Sequence, residues 1–159
     1  MIRLYTNTKC EYDLINERLN YLIDKKVELF HKYFPTTTRL KKEKVDGHSE
    51  EKDNMVEYLV ELNEIDLGTG MSIQGEIDYQ QEKLKNTKEV IDNMNLKLKE
   101  LKGIEYELYY KIVVEGLSIS KAVSKVAEKF DKDEQTIWKN YYRNIKNDIK
   151  RLKYTVKIQ

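Results

Sequence analysis

The stretch 115-EGLSISKAVSKVAEKFDKDEQTIWKNYYRNIKNDIKRL-152 decides the fold of the C-terminal third of the chain. Apolar residues in its first half recur at steps of three and four, which predicts an amphipathic helix from about Ser118 to Phe130. A polar turn follows, and Asp133 and Glu134 favour a second helix start, because carboxylates are stabilised by the free N–H groups there. Two helices joined by a short turn are therefore predicted. The apolar face of the first comprises Ile119, Ala122, Val123, Val126, Ala127 and Phe130.

The second predicted helix, about Glu134 to Leu152, has two faces when its residues are spaced about 100° apart. One face is apolar and is predicted to be core: Ile137, Trp138, Tyr141, Ile145, Ile149 and Leu152. The other face is polar, with cations at steps of four, three and four, and suits contact with phosphates and base edges in a DNA major groove. The candidate DNA-binding residues are Gln135, Thr136, Lys139, Asn140, Arg143, Lys146, Asn147 and Lys150.

The charge distribution supports this interpretation of the polar face. Residues 136–159 contain seven cations and one acid, Asp148, a net charge of +6, whereas the whole chain carries only +1. The remainder is therefore net acidic, at −5. The ordinary alternative for a lysine-rich helix face is a solvated surface. Positive charge concentrated at one end of a chain favours instead a surface that binds a polyanion.

These residues resemble the helix-turn-helix of sigma-factor region four, and more closely that of the phage late-gene transcription regulators of the RinA/ArpU kind. The resemblance is carried by a helix over about Ile104 to Glu115, the turn Gly116-Leu117-Ser118, and the two helices that follow. The chain differs in a first motif helix about one turn longer, and in Asp131, which replaces the usual glycine of the turn. A left-handed conformation is expected at this position, and it costs Asp less than most residues but more than Gly. The resemblance implies activation of late or packaging-associated genes in a phage or mobile element.

Residues 1–102 are predicted to be a helical scaffold or oligomerisation region, with a mobile linker at about 36–53; residues 1–8 are left unassigned. A helix from about Glu11 to Phe34 ends at Pro35, and its apolar positions are Leu14, Ile15, Leu19, Leu22, Ile23, Val27 and Phe30. A short helix from Asp53 or Asn54 to about Ile65 follows. Its predicted inward residues are Met55, Leu59, Leu62 and Tyr58.

The longest predicted helix runs from about Ser72 to Lys102 and shows a weak heptad pattern typical of a coiled coil. One seam is apolar throughout: Ile77, Leu84, Ile91 and Leu98. The companion seam is apolar only in its second half: Gln80, Thr87, Met94 and Leu101. Two arrangements remain open, namely packing against the helix at 11–34 within one chain or pairing between chains. A homodimer is the working expectation, since one helix-turn-helix reads few base pairs.

Catalytic, metal and cofactor sites are not expected. His31 and His48 lack Cys or His companions at ligand spacing, and no Gly-rich phosphate loop or nucleophile motif is present. The lone cysteine, Cys10, cannot form an internal disulfide, which favours the cytoplasm. No apolar run reaches the length of a membrane span.

Tyrosines cluster around the motif, and two roles remain open for them: core packing, or contact of Tyr110 or Tyr142 with DNA. The cluster comprises Tyr106, Tyr109, Tyr110, Tyr141 and Tyr142.

The sequence thus predicts an all-α protein whose residues 103–159 form a helix-turn-helix DNA-binding domain. The expected function is that of a sequence-specific transcriptional regulator that binds double-stranded DNA as a homodimer, with RNA polymerase as a further candidate partner and no membrane contact. Two alternatives remain: a DNA-packaging accessory protein like a small terminase, and a helical protein-binding module that contacts the transcription machinery.

Overall fold

A computed structural model describes residues 4–35 and 48–154, and these residues form helices and no strands. The predicted all-α fold is confirmed. The helices of these ranges are α1 (Tyr5–Tyr33), α2 (His48–Asn63), α3 (Ile73–Glu100), α4 (Gly103–Tyr109, continued by a π-helical turn Tyr110–Val114), α5 (Ile119–Lys129) and α6 (Glu134–Thr136, a π-helical segment Ile137–Tyr142, and Arg143–Tyr154). None of the helices described is both long enough and apolar enough to cross a membrane.

The N-terminal helices begin earlier than their apolar patterns predict. Helix α1 starts at Tyr5, where the burial of Thr8 and the packing of Tyr5 against the core hold the first turns in place. Helix α2 starts at His48, so residues 48–53 of the predicted mobile linker are helical, which corrects that part of the prediction. A helical turn that faces solvent needs no apolar residues, so the spacing of apolar residues does not show where such a helix begins. The rest of the linker, residues 36–47, lies outside the described residues.

Close packing divides the chain into two compact units. The C-terminal unit contains Met1–Asp13 and Lys85–Gln159, and the middle unit is Leu14–Leu84. The boundaries fall inside α1 and α3, whereas the sequence suggests a division after Lys102. The difference arises because the last turns of α3 contribute Val90 and Met94 to the core of the helix-turn-helix.

The C-terminal unit has one continuous core built from α3 to α6. Leu108, Ile112 and Val113 from α4 and its π-helical turn lie at the centre, together with Val123 and Val126 of α5. Residues of α6 complete the cluster, which explains why the two motif helices are held firmly together.

Within the described part of the middle unit, two small apolar clusters are buried. In one, Leu19 and Leu22 of α1 pack against Ile77 of α3, with Leu84 at the edge. The heptad seam of α3 thus contacts α1 of the same chain here, and a coiled coil between chains is not confirmed. In the second cluster, Leu29 packs against residues of α2, namely Tyr58 and Leu62.

Several apolar residues of the middle unit that are predicted to face inward are exposed. On α2, Met55 and Leu59 are exposed while Tyr58 and Leu62 are buried. On α1, Leu29 is buried, whereas four residues of the predicted apolar face are exposed: Leu14, Ile23, Val27 and Phe30. The apolar positions of each helix span a wider arc than the neighbouring helices cover.

Candidate nucleic-acid interface

The turn between α5 and α6 adopts the left-handed conformation expected of it. Asp131 has a φ of 50°, the one positive φ of a non-glycine residue in the described ranges. Its N–H donates to the carbonyl of Glu128 at 3.4 Å, and that of Lys132 donates to the carbonyl of Ala127 at 3.0 Å. This pair of bonds is the Schellman ending of a helix, which glycine normally occupies and which Asp tolerates better than most residues.

Side-chain caps fix the start of both motif helices. The hydroxyl of Ser118 accepts from the N–H of Lys121 at 3.4 Å at the start of α5. At the start of α6, Asp133 accepts from the N–H of Thr136 at 2.8 Å and also from its hydroxyl. These bonds, first that from the hydroxyl and then that from the N–H, lower the pKa of Asp133. The predicted capping role of Asp133 is therefore confirmed.

Gly116 joins α4 to α5 under two constraints. Its φ of 74° lies in the left-handed region, and a Cβ atom there would lie 3.0 Å from Leu4 Cδ1. The turn is closed by the N–H of Leu117, which donates to the carbonyl of Lys111 at 2.9 Å. This position therefore favours glycine for both its backbone conformation and its close approach to the N-terminal segment.

The buried face of α6 differs from the predicted one at two aromatic residues. Ile137, Tyr142 and Ile145 are buried, and Ile149 and Leu152 continue the face at steps of four and three. The step of five from residue 137 to 142 coincides with the π-helical segment, because i to i+5 bonding brings residues five apart onto one face.

Trp138 is therefore 38% exposed, and its prediction as core is wrong. Its indole meets the Tyr142 ring edge-on, with the ring centroids 4.7 Å apart. The prediction assumed the α-helical period throughout and could not detect a π-helical turn. It therefore placed Trp138 in the core instead of Tyr142.

The candidate DNA-binding side chains lie on the solvent-facing side of α6. Seven are exposed: Gln135, Lys139, Asn140, Arg143, Lys146, Asn147 and Lys150. Thr136 is half-buried, and its hydroxyl already donates to Asp133.

Three other cations of the C-terminal unit, Lys97, Lys111 and Lys129, form ion pairs with acids in the structure. Lys97 of α3 lies 3.1 Å from Asp148, the only acid in residues 136–159, and this contact raises the pKa of Lys97. Lys129 pairs with Glu107. No ion pair joins any residue of the described ranges to the four cations of the α6 face. Their charge is thus directed to solvent.

Two of the clustered tyrosines are buried. Tyr109 is fully buried, and this burial, together with the charge of Asp148, raises its pKa to about 12. Burial also raises the pKa of Tyr142. Tyr110 is half-buried and stacks on Tyr106 with ring centroids 5.9 Å apart. Of the two roles left open for Tyr142, the structure shows core packing.

Further exposed groups lie on α5, where the sequence pattern gave no reason to single them out. Lys121 and Lys125 are exposed one turn apart, next to the exposed Ser118 and Ser124.

Among the residues that the structure describes, no group of three or more His, Cys, Asp or Glu side chains could hold a metal ion. No protein-family model, curated protein or solved structure matches this chain.

Proposed function

We propose that the protein is a sequence-specific regulator that binds double-stranded DNA with α6 in the major groove. The observation that carries the proposal is the face of α6: four cations without ion-pair partners in the described ranges lie on a helix whose opposite side is buried in the core of the C-terminal unit. A fixed helix with a polar basic face has the geometry by which helix-turn-helix proteins read DNA.

The side chains of this face divide by chemistry. Gln135 and Asn140 carry amide groups that can pair with adenine, and both lie near the start of α6. Thr136 can act only as an acceptor while its hydroxyl donates to Asp133. Asn147 lies two turns further along than Asn140 and supports a contact with the DNA backbone.

The cations supply affinity that does not depend on sequence. Lys139, Lys146 and Lys150 can neutralise phosphates, and Arg143 can either do so or pair with guanine. On α5, Lys121 and Lys125 face solvent and are suited to a neighbouring phosphate, since the first motif helix crosses the DNA backbone in this docking geometry.

Trp138 joins the proposed interface because it is exposed beside Lys139 on the same part of α6. Its ring can contact a thymine methyl group or a sugar, as apolar side chains do in the major groove. It is the only tryptophan in the chain, so its fluorescence reports directly on occupancy of this surface.

The regulatory role rests on the resemblance of the motif to the phage late-gene regulators. In that role the protein binds DNA as a homodimer and activates transcription of phage or mobile-element genes, with RNA polymerase as the partner it contacts.

Selection of bound sites from random duplex DNA tests the proposal. The expected product is a motif of two half-sites whose centres lie about one helical turn apart or a multiple of it. An Arg143→Gln variant carried through the same selection should lose preference at a guanine while keeping the half-site spacing. Binding without enrichment of any sequence would favour a packaging accessory protein. No binding at low salt would overturn the proposal, since even non-specific basic proteins bind DNA there.

A further inference from the structure

The π-helical segment of α6 contains one residue more than the packing of this helix requires. The buried residues of α6 follow at steps of five, three, four and three: Ile137, Tyr142, Ile145, Ile149 and Leu152. Only the first step, which spans the π-helical segment, departs from the steps of three and four that keep residues on one face of an α-helix. A regular helix with one residue fewer between Ile137 and Tyr142 would therefore bury the same side chains.

The additional residue is accommodated on the exposed side of α6. Trp138, Lys139 and Asn140 are three consecutive exposed residues between the two buried ends of the segment. Residues outside the segment keep their direction relative to the buried face with or without the additional residue, because that face has the same members in both cases. The segment therefore changes only which side chains stand between Ile137 and Tyr142, and how they are directed.

The π-helical segment of α4, Tyr110–Val114, has the opposite exposure. Ile112 and Val113 are fully buried there, and none of its five residues is exposed. The N–H of Glu115 donates to the carbonyl of Tyr110 at 3.1 Å, which is the bond of a π-helix. Core packing explains this segment of α4. It does not explain the segment of α6, and single π-helical turns occur frequently at functional sites.

Side-chain contacts hold the segment of α6 in one geometry. The side-chain amide of Asn144 donates to the carbonyl of Asn140 at 3.0 Å and to Glu105 of α4 at 2.7 Å. The ring of Trp138 meets the buried Tyr142 ring edge-on. A fixed backbone suits the reading of base edges, since hydrogen bonds weaken steeply when their angle is poor.

We infer that the additional residue of α6 serves base recognition, and that Trp138 and Asn140 set the sequence preference of the protein. This inference rests on the proposed function and deepens it. In a major groove, the amide of Asn140 can pair with adenine, and the indole of Trp138 can contact a thymine methyl group. A regular helix would present one side chain fewer to the bases between the same two buried residues.

The first test removes the additional residue. Deletion of Asn140 places Ile137 and Tyr142 four residues apart, so the midpoint of urea unfolding should not fall. The variant should still bind DNA at low salt through the cations outside the segment. Its ratio of affinities for the selected and an unrelated duplex should fall at least about tenfold, the discrimination of one good base contact. A lower unfolding midpoint would show that the residue serves the fold, and an unchanged ratio that it does not serve recognition; either result overturns the inference.

The second test compares two asparagines without changing the length of the helix. Asn140→Ala should lower the same affinity ratio about tenfold. Asn147→Ala is the matched control outside the segment and should weaken binding to both duplexes alike, as loss of a backbone contact does. Both side chains are exposed, so neither substitution removes a core contact. Equal effects of the two variants on the ratio would contradict the inference. A wild-type protein without any sequence preference would overturn the proposed function as well, and the wild-type measurement alone shows that outcome.

Discussion

The two compact units differ in how they use their apolar residues. The C-terminal unit gathers side chains from four helices into one continuous core, while residues 14–35 and 48–84 of the middle unit form two buried clusters of three residues each. Large apolar side chains remain exposed on α1 and α2 as a result. The C-terminal unit presents a mostly polar face on α6 with Trp138 beside it, whereas α1 and α2 of the middle unit present apolar side chains.

Charge follows the same division. Counted over the sequence, the C-terminal unit carries a net +6 and the middle unit a net −5. Binding of a polyanion to α6 should therefore respond strongly to salt.

The largest difference between the units should appear in the free energy of unfolding that each loses when a buried leucine is replaced by alanine. Leu108→Ala removes a fully buried side chain at the centre of the C-terminal core and should lower the free energy of unfolding by about 4 kcal/mol. Leu22→Ala lies in a three-residue cluster that can collapse more easily, and should cost about 2 kcal/mol. Urea unfolding followed by helical circular dichroism measures both. A larger loss for Leu22→Ala would reverse the ranking of the two cores.

Alkaline pH should act on the C-terminal unit through Tyr109. Its pKa is about 12 in the folded protein and about 10 in the unfolded chain. The stabilisation is full below pH 10, where both states are protonated, and is lost as pH rises through 12, because the unfolded chain releases its proton first. The loss amounts to about 2–3 kcal/mol. Tyr109→Phe should flatten this part of the stability profile; an unchanged slope between pH 9.5 and 11.5 would mean that Tyr109 does not cause it.

A comparison of two glycine-to-alanine variants distinguishes the cost of backbone strain from the cost of a close side-chain contact. Gly116 and Gly70 both have a φ near 70°, but only at Gly116 would a Cβ atom meet another side chain, that of Leu4. Gly70→Ala should therefore cost about 1 kcal/mol from strain alone, and Gly116→Ala about 1–2 kcal/mol. Thermal unfolding of the two variants measures the difference. Equal losses would show that the Leu4 contact contributes nothing.

Local features of the C-terminal motif could be predicted from the sequence, because neighbouring residues determine them. The ends of α5, the cap by Asp133 and the left-handed turn at Asp131 each follow from side-chain chemistry within one or two turns of the chain. Exposure of the predicted cations on α6 follows from the same helical pattern.

Features that depend on distant neighbours could not be predicted. The π-helical segment of α6 changes the residue period that a helical wheel assumes. As a result Tyr142 is buried in the core and Trp138 is exposed. On α2, Met55 and Leu59 have the spacing of a buried face, but none of the helices described in this unit covers them. A sequence pattern identifies an apolar face without specifying what packs on it.

The measurement that most directly tests the DNA-binding proposal is the salt dependence of affinity for a selected duplex. Lys146→Gln with Lys150→Gln should weaken binding and reduce the slope of log K against log salt by about 2, close to 0.9 per phosphate contact. Lys25→Gln with Lys32→Gln makes the same charge change in the middle unit and should leave the slope unchanged. Equal slopes for the wild-type protein and the α6 variant, or equal effects of the two variants, would contradict the assignment of α6 as the DNA-reading helix.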